Sequence, residues 1–128
     1  MYKPALIAGA LFAGLAVIFG AFGAHALKAI LPADQLAVFE TGVHYQFYHS
    51  FALLITGIVF GSFPFKHIKL ASSFFITGII LFSGSLYTMT LLSTSGTSLG
   101  PIGIVTPIGG LFFIAGWILL FSGIIKKK

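Results

Sequence analysis

Apolar residues fill four long blocks of this chain, and every charged side chain falls before, between or after them. No Asp, Glu, Lys or Arg occurs between Lys3 and Lys28, between Glu40 and Lys66, or between Lys69 and Lys126. A hydrocarbon core of about 30 Å takes roughly 20 apolar helical residues to cross. The first two gaps each hold one such segment. The third is long enough for two, and a Ser/Thr/Gly-rich stretch at 93–106 divides it. The pattern predicts transmembrane helices over about 4–27, 43–63, 70–92 and 107–125. The expected fold is all-α, an up-down bundle of four spans forming a single domain over 1–128.

Turn residues sharpen these limits. Pro4 suits a first helical turn, where its missing N–H costs nothing. Pro64 is expected to end the second span, because proline cannot continue the hydrogen-bond ladder. A tight basic turn is expected at 65–69. Thr106-Pro107 reads as an N-cap followed by proline at the first helical position. In the first connection, Pro32-Ala33-Asp34 looks like a helix start, and Leu36, Phe39 and Val43 recur at helical spacing. That predicts a short amphipathic interfacial helix between spans 1 and 2, bent or broken near Gly42. The alternative is that these residues extend the second span outward.

With four alternating spans, Lys3, Lys66, Lys69, Lys126, Lys127 and Lys128 share one side, and Lys28 stands on the other beside Asp34 and Glu40. Cytoplasmic segments carry the excess of lysine. Both termini are therefore expected in the cytoplasm, with the chain in the cell (inner) membrane. Insertion in both orientations would need near-equal lysine counts on the two sides. The start of the chain also mimics a signal peptide, since Lys3 and an apolar run precede Ala24-His25-Ala26. A signal core is about 7–15 residues, however, and this run has transmembrane length, so an uncleaved first span is expected.

Composition agrees. The chain is 58% hydrophobic and 7% charged with mean hydropathy +1.10, against about a quarter charged for a soluble domain. It cannot clothe a water-facing surface, so the lipid bilayer is its expected partner. The net charge of +5 comes from lysines scattered at helix ends, with no basic stripe, so nucleic-acid binding is not expected. No Cys is present, which excludes disulfides and thiolate metal sites. No Arg is present either, so any anion must be met by Lys, His or helix N-termini.

Small residues recur four apart: Gly9 with Ala13, Ala10 with Gly14, Ala16 with Gly20 and Gly20 with Ala24 in span 1, and Gly57 with Gly61 in span 2. Gly84, Gly109 and Gly110 join them as packing candidates. Helices in lipid gain little hydrophobic drive from one another, so small residues that admit close backbone approach mark contact faces. Whether span 1 meets span 2, a second copy or another membrane protein is left open by the pattern.

Polar side chains cluster in depth. His25 closes span 1. Glu40, His44, Gln46, Tyr48 and His49 lie at the start of span 2, Ser83, Ser85, Tyr87 and Thr88 toward the end of span 3, and Thr106 at the start of span 4. Alternation puts them all in the outer half, and polar groups in hydrocarbon need partners. Glu40 and His44 are one helical turn apart. His49 is rotated from His44 by roughly 140° and shares a face with Tyr45. His25, Glu40 and His44 could hold one metal ion, or the histidines a haem, although no HExxH-like spacing occurs. The competing reading is an interfacial Glu–His pair with histidines bonded to backbone. Ser83-Gly84-Ser85 lacks the flanking glycines of a nucleophile elbow, so its hydroxyls are expected to bond back to the helix. No catalytic residue and no cofactor motif stands out. Trp117 falls mid-span and is expected to pack inside the bundle.

These residues resemble a known family. Gly20-Ala21-Phe22-Gly23-Ala24-His25, Phe39-Glu40-Thr41-Gly42-Val43-His44-Tyr45-Gln46 through His49, Phe82-Ser83-Gly84-Ser85-Leu86-Tyr87, Thr106-Pro107-Ile108-Gly109-Gly110 and Gly116-Trp117 are similar to the blocks of a small four-span bacterial membrane protein family. It is filed as domain of unknown function four-two-three and has eukaryotic transmembrane relatives. The resemblance implies four membrane helices and supplies no activity or ligand. Three readings follow: a non-enzymatic protein acting through helix packing with partners or lipids; a small transporter or channel for protons, metal ions or a polar solute, with a wet cavity at His49 and Tyr87; and a metal or redox enzyme, if the histidines converge.

Overall fold

The computed structural model describes residues 1–96 and 101–126. Among them all regular structure is helical, in four rods: α1 (Lys3–Leu27), α2 (Ala33–Val59), α3 (Lys66–Ser93) and α4 (Ile102–Ile125). By length and composition α1, α3 and α4 are long and apolar enough to cross a membrane. α2 is the least apolar, because His44, Gln46 and His49 interrupt its inner stretch.

The contacts fix an up-down order. Tyr2 N–H donates to Gly57 O at 2.8 Å, and Gly9, Gly20 and Gly23 face Ser50, Val43 and Phe39, so α1 and α2 run antiparallel. Tyr87 lies on Gly42 while Phe75 lies beside His49, which sets α3 antiparallel to α2. Gly109, Gly116 and Gly123 of α4 meet Phe82, Phe75 and Ile68 of α3 in reverse order. α1 and α4 share no extended contact. α2 and α3 thus form the centre, and each terminal helix leaves a broad apolar face to lipid.

Several sequence-based limits shift. The separate interfacial helix is not a separate element: α2 is unbroken from Ala33 through Gly42 to Val59, as the outward-extension reading had it. Gly42 does not break it because Tyr87 and Leu86 pack directly on that glycine. Pro32 stands at the N-cap of α2 instead, and Asp34 sits in its first turn. α2 stops at Val59, before Pro64, through a turn in which Phe63 N–H returns to Val59 O at 2.9 Å. The basic residues at 66–69, expected in a turn, form the first turn of α3. α4 starts at Ile102, so Pro107 lies inside it and Thr106 is no cap. Of the expected loop at 93–106, residues 97–100 lie outside the described residues. Gly96, at φ 72°, supplies the left-handed turn that ends α3.

The α3–α4 seam is built from large residues set into glycines. Ile68, Phe75 and Phe82 recur every seven residues, and so do Gly109, Gly116 and Gly123. The Ile68 and Phe75 side chains fill the spaces at Gly123 and Gly116, the backbone of Phe82 lies directly on Gly109, and Phe113 of α4 fills the reciprocal gap at Gly78. Ile68, Phe75 and Phe113 are buried here with Ala71, Ile79 and Leu120. Both α1 and α3 contain a wider π-helical turn, at Gly23–Leu27 and Ile79–Ser83. Both reach the same part of α2: Gly23 lies against Phe39, and the Ser83 hydroxyl bonds Gly42 O.

Candidate functional site

Two polar centres occupy the interior, each tying α2 to its neighbours. In the first, Gln46 is almost fully buried and works in two directions. Its Nε2 donates to the carbonyl of Phe12 in α1 at 2.8 Å, and its Oε1 accepts the Tyr87 hydroxyl of α3 at 2.7 Å. One amide therefore joins three helices. The Tyr87 ring is held between Phe19 and Phe39, with centroids 5.1 and 4.9 Å away. Ser83, fully buried, donates to Gly42 O at 2.7 Å. Close approach at Gly42 makes this possible: a Cβ there would stand 2.8 Å from Tyr87 Cε1.

In the second centre, His49 is 4% exposed and faces α4. Its Nδ1 lies 2.7 Å from Tyr45 O, and the Trp117 indole N–H donates to its Nε2 at 3.0 Å. An indole nitrogen can only donate, so Nε2 must carry the lone pair and the proton sits on Nδ1. These two bonds select the neutral Nδ1–H form. The ring stacks on Phe113 at 3.5 Å and 10°, with Phe75 at 5.7 Å. Trp117 is 44% exposed, so its indole faces lipid while its N–H turns inward. The expectation that Trp117 packs inside the bundle therefore holds for its His49 and Phe75 edge and not for its lipid-facing side.

The remaining sequence candidates divide. Ser85 and Thr106 meet at 2.6 Å between α3 and α4, and Ser85 also bonds back to Phe82 O. His25 is exposed, with Nδ1 on Ala21 O at 2.9 Å. Glu40, His44 and Tyr48 are exposed on α2, and the His44 and Tyr48 rings stack at 6.4 Å. The suggested set of His25, Glu40 and His44 does not come together. Among the described residues no three His, Asp or Glu side chains are grouped to hold a metal ion. The interior is also closed: no cavity opens among the described residues, and no buried side-chain polar atom there lacks a partner. The wet cavity at His49 and Tyr87 that a transporter would need is not present among them.

The packing candidates divide as well. Gly9, Ala16 and Gly57 are buried in the α1–α2 seam and Gly109 against α3. Gly20 faces Val43. Ala13 is half-buried, Gly61 is exposed beside the turn after α2, and Gly110 touches only the edge of Phe82. A Cβ added at Gly14 or Gly84 would meet nothing from a neighbouring segment within 4 Å. Gly78, Gly116 and Gly123 were missed, although their spacing against Phe and Ile was there to be read.

The family described as "Protein of unknown function (DUF423)" matches residues 19–110. This chain belongs to that family. The match takes in Gln46, His49, Ser83, Tyr87 and Thr106, leaving Phe12 before it and Phe113 and Trp117 after it. The DUF423 chain is 43% identical over 124 residues to a UPF0382 membrane protein of Staphylococcus aureus, covering 97% of each. It is 37% identical over 125 residues to the UPF0382 membrane protein YwdK of Bacillus subtilis, covering 97% of this chain and 98% of that one. A UPF0382 membrane protein of Haemophilus influenzae is 39% identical over 112 residues, 88% and 86% of the two chains. No solved structure matches. The DUF423 chain is a helical membrane protein of a family without a known molecular function.

Proposed function

We propose that this protein is one four-crossing domain of the cell (inner) membrane, with both termini cytoplasmic. It acts without catalysis by packing its outer helices on a second copy of itself or on another membrane protein. α2 is taken as the fourth crossing because it lies antiparallel between α1 and α3. Were it to stay on one side, α1 and α3 could not both cross in the same direction. The first turns of α2, with Asp34 and Glu40, then project toward the outer interface. The six lysines against one support the orientation.

The observation that carries the packing role is a contrast. Among the described residues the inner polar groups are already bonded to one another or to backbone carbonyls in a closed interior. α1, by contrast, has extended packing along α2 alone among the described residues, and touches α3 only locally, where Phe19 meets Tyr87. Ala10 and Gly14 are exposed on its other face, between Ile7, Leu11 and Ile18. A small-xxx-small face of this kind admits a second helix closely. Subunit counting by single-molecule photobleaching in lipid, combined with crosslinking from residue 14, tests this. Association that weakens in Gly14→Leu while helicity and melting hold is expected. Equal association in wild type and variant, or a wild type that is monomeric and uncrosslinked in cells, would overturn it.

A further inference from the structure

The lysine end of the bundle carries a cation cluster that no acidic side chain among the described residues answers. Lys3 opens α1, Lys66 and Lys69 stand in the first turn of α3, and Lys126 follows α4. The only two acidic side chains of the sequence, Asp34 and Glu40, sit in the first turns of α2, at the opposite end. From Asp34 to the end of α2 is roughly 37 Å at about 1.5 Å per residue. That is several times the screening length of about 8 Å at physiological salt, so the acids cannot balance these lysines.

Two of the ammonium groups are held in place. Lys69 Nζ stands 5.4 Å from the Tyr2 ring centroid and 5.2 Å from that of Phe60, at the junction of α1, α2 and α3. Lys126 Nζ stands 5.1 Å from the Phe65 ring, between the start of α3 and the end of α4. Ring faces position a cation but carry no net charge to neutralise it. Lys66 and Lys69 also oppose the positive end of the α3 dipole, an arrangement that a bound anion relieves. The rings that brace them offer apolar surface at the same level. A phosphate carried on an acyl-chain body matches both features.

We infer that this end binds the headgroups of anionic phospholipid, with Lys69 as the principal seat and Lys3, Lys66 and Lys126 around it. The inference deepens the reading of the bilayer as a partner. It rests on insertion in the membrane and not on which end faces the cytoplasm.

The test places purified full-length protein in nanodiscs of phosphatidylcholine with and without phosphatidylglycerol. Retained lipid is read by native mass spectrometry, and affinity by titration of phosphatidylglycerol. Wild type is expected to retain phosphatidylglycerol over phosphatidylcholine. Lys69→Gln and Lys66→Gln should each weaken that binding about fivefold, the equivalent of about 1 kcal/mol per surface lysine. Lys69→Arg should keep it, and Lys28→Gln, at the other end, should leave it unchanged. A wild type without preference overturns the inference. So does a Lys69→Gln protein of native helicity that binds as wild type does, or full displacement by inorganic phosphate. Both leaflets of a nanodisc are alike, so failure of the orientation reading would show only in topology mapping in cells, and failure of this inference only here.

Discussion

Replacing Gly109 by alanine tests the α3–α4 seam most directly. An added Cβ would stand 2.8 Å from Phe82 Cα and 2.9 Å from Leu81 C, and closer still to Phe82 N. All three are backbone atoms and cannot rotate away. Carbon pairs prefer about 3.5–4.0 Å, so the two helices must part by roughly 0.7 Å or more. Overpacking of a tight site costs about 1–3 kcal/mol, and rigid backbone puts this site at the upper end. Alanine recovers about 1 kcal/mol of helix propensity over glycine. The net expectation is a loss of about 2 kcal/mol, near a thirtyfold change in the folded-to-unfolded ratio. Gly14→Ala is the matched control, since a Cβ added there would meet nothing from a neighbouring segment within 4 Å. It should be neutral or stabilising by up to about 1 kcal/mol. Reversible SDS unfolding of both variants in mixed micelles, followed by circular dichroism and by the single tryptophan, gives the comparison. If Gly109→Ala falls within about 0.5 kcal/mol of Gly14→Ala, the range of an ordinary surface change, the seam does not depend on glycine and the reasoning fails.

Three further outcomes are expected. Tyr87→Phe removes the hydroxyl from Gln46 Oε1 and should cost about 0.6–1 kcal/mol, the range from the membrane interhelical mean to that of an ordinary intramolecular hydrogen bond; no loss in SDS unfolding would show that the amide finds another partner. Gly42→Ala should cost about 1–3 kcal/mol by displacing the Tyr87 ring, and a double-mutant cycle with Tyr87→Phe should be non-additive; simple additivity would mean that the two act apart. His49 should appear in 15N spectra as the neutral Nδ1–H tautomer, with Nε2 altered in Trp117→Phe, while wild-type Trp117 is quenched by brominated lipid; an Nε2–H tautomer or an unquenched tryptophan would contradict the geometry at that centre.

The helical type and approximate place of each apolar segment were legible because chain length, charge spacing and proline placement are local properties. The boundaries were less so. Pro107 suggested a helix start, yet a helix can begin five residues earlier, because only the hydrogen bond to Gly103 is lost and the neighbouring helix holds the rest. Gly42 suggested a break, yet a glycine covered by an aromatic ring stays helical. Depth of the polar residues was also readable: Gln46, Ser83 and Tyr87 lie at one level and do meet. Their direction around the helix was not. His44 and His49 differ by five positions, and only His49 turns toward Trp117, while His25, Glu40 and His44 remain on the outside.

Sequence alone therefore determined that this is an all-helical membrane chain, where its apolar segments run, and how its charges divide between the two ends. Tertiary structure decided which faces meet. In a soluble protein, water and core select opposite residues, so the buried face announces itself by hydrophobic periodicity. Here lipid and core select the same Leu, Ile and Phe, and that signal vanishes. What marks the buried face instead is reciprocal fit: glycine opposite phenylalanine, one amide between two helices, an indole N–H on an imidazole. Such fits are properties of pairs of segments, and they exist only once the helices are side by side.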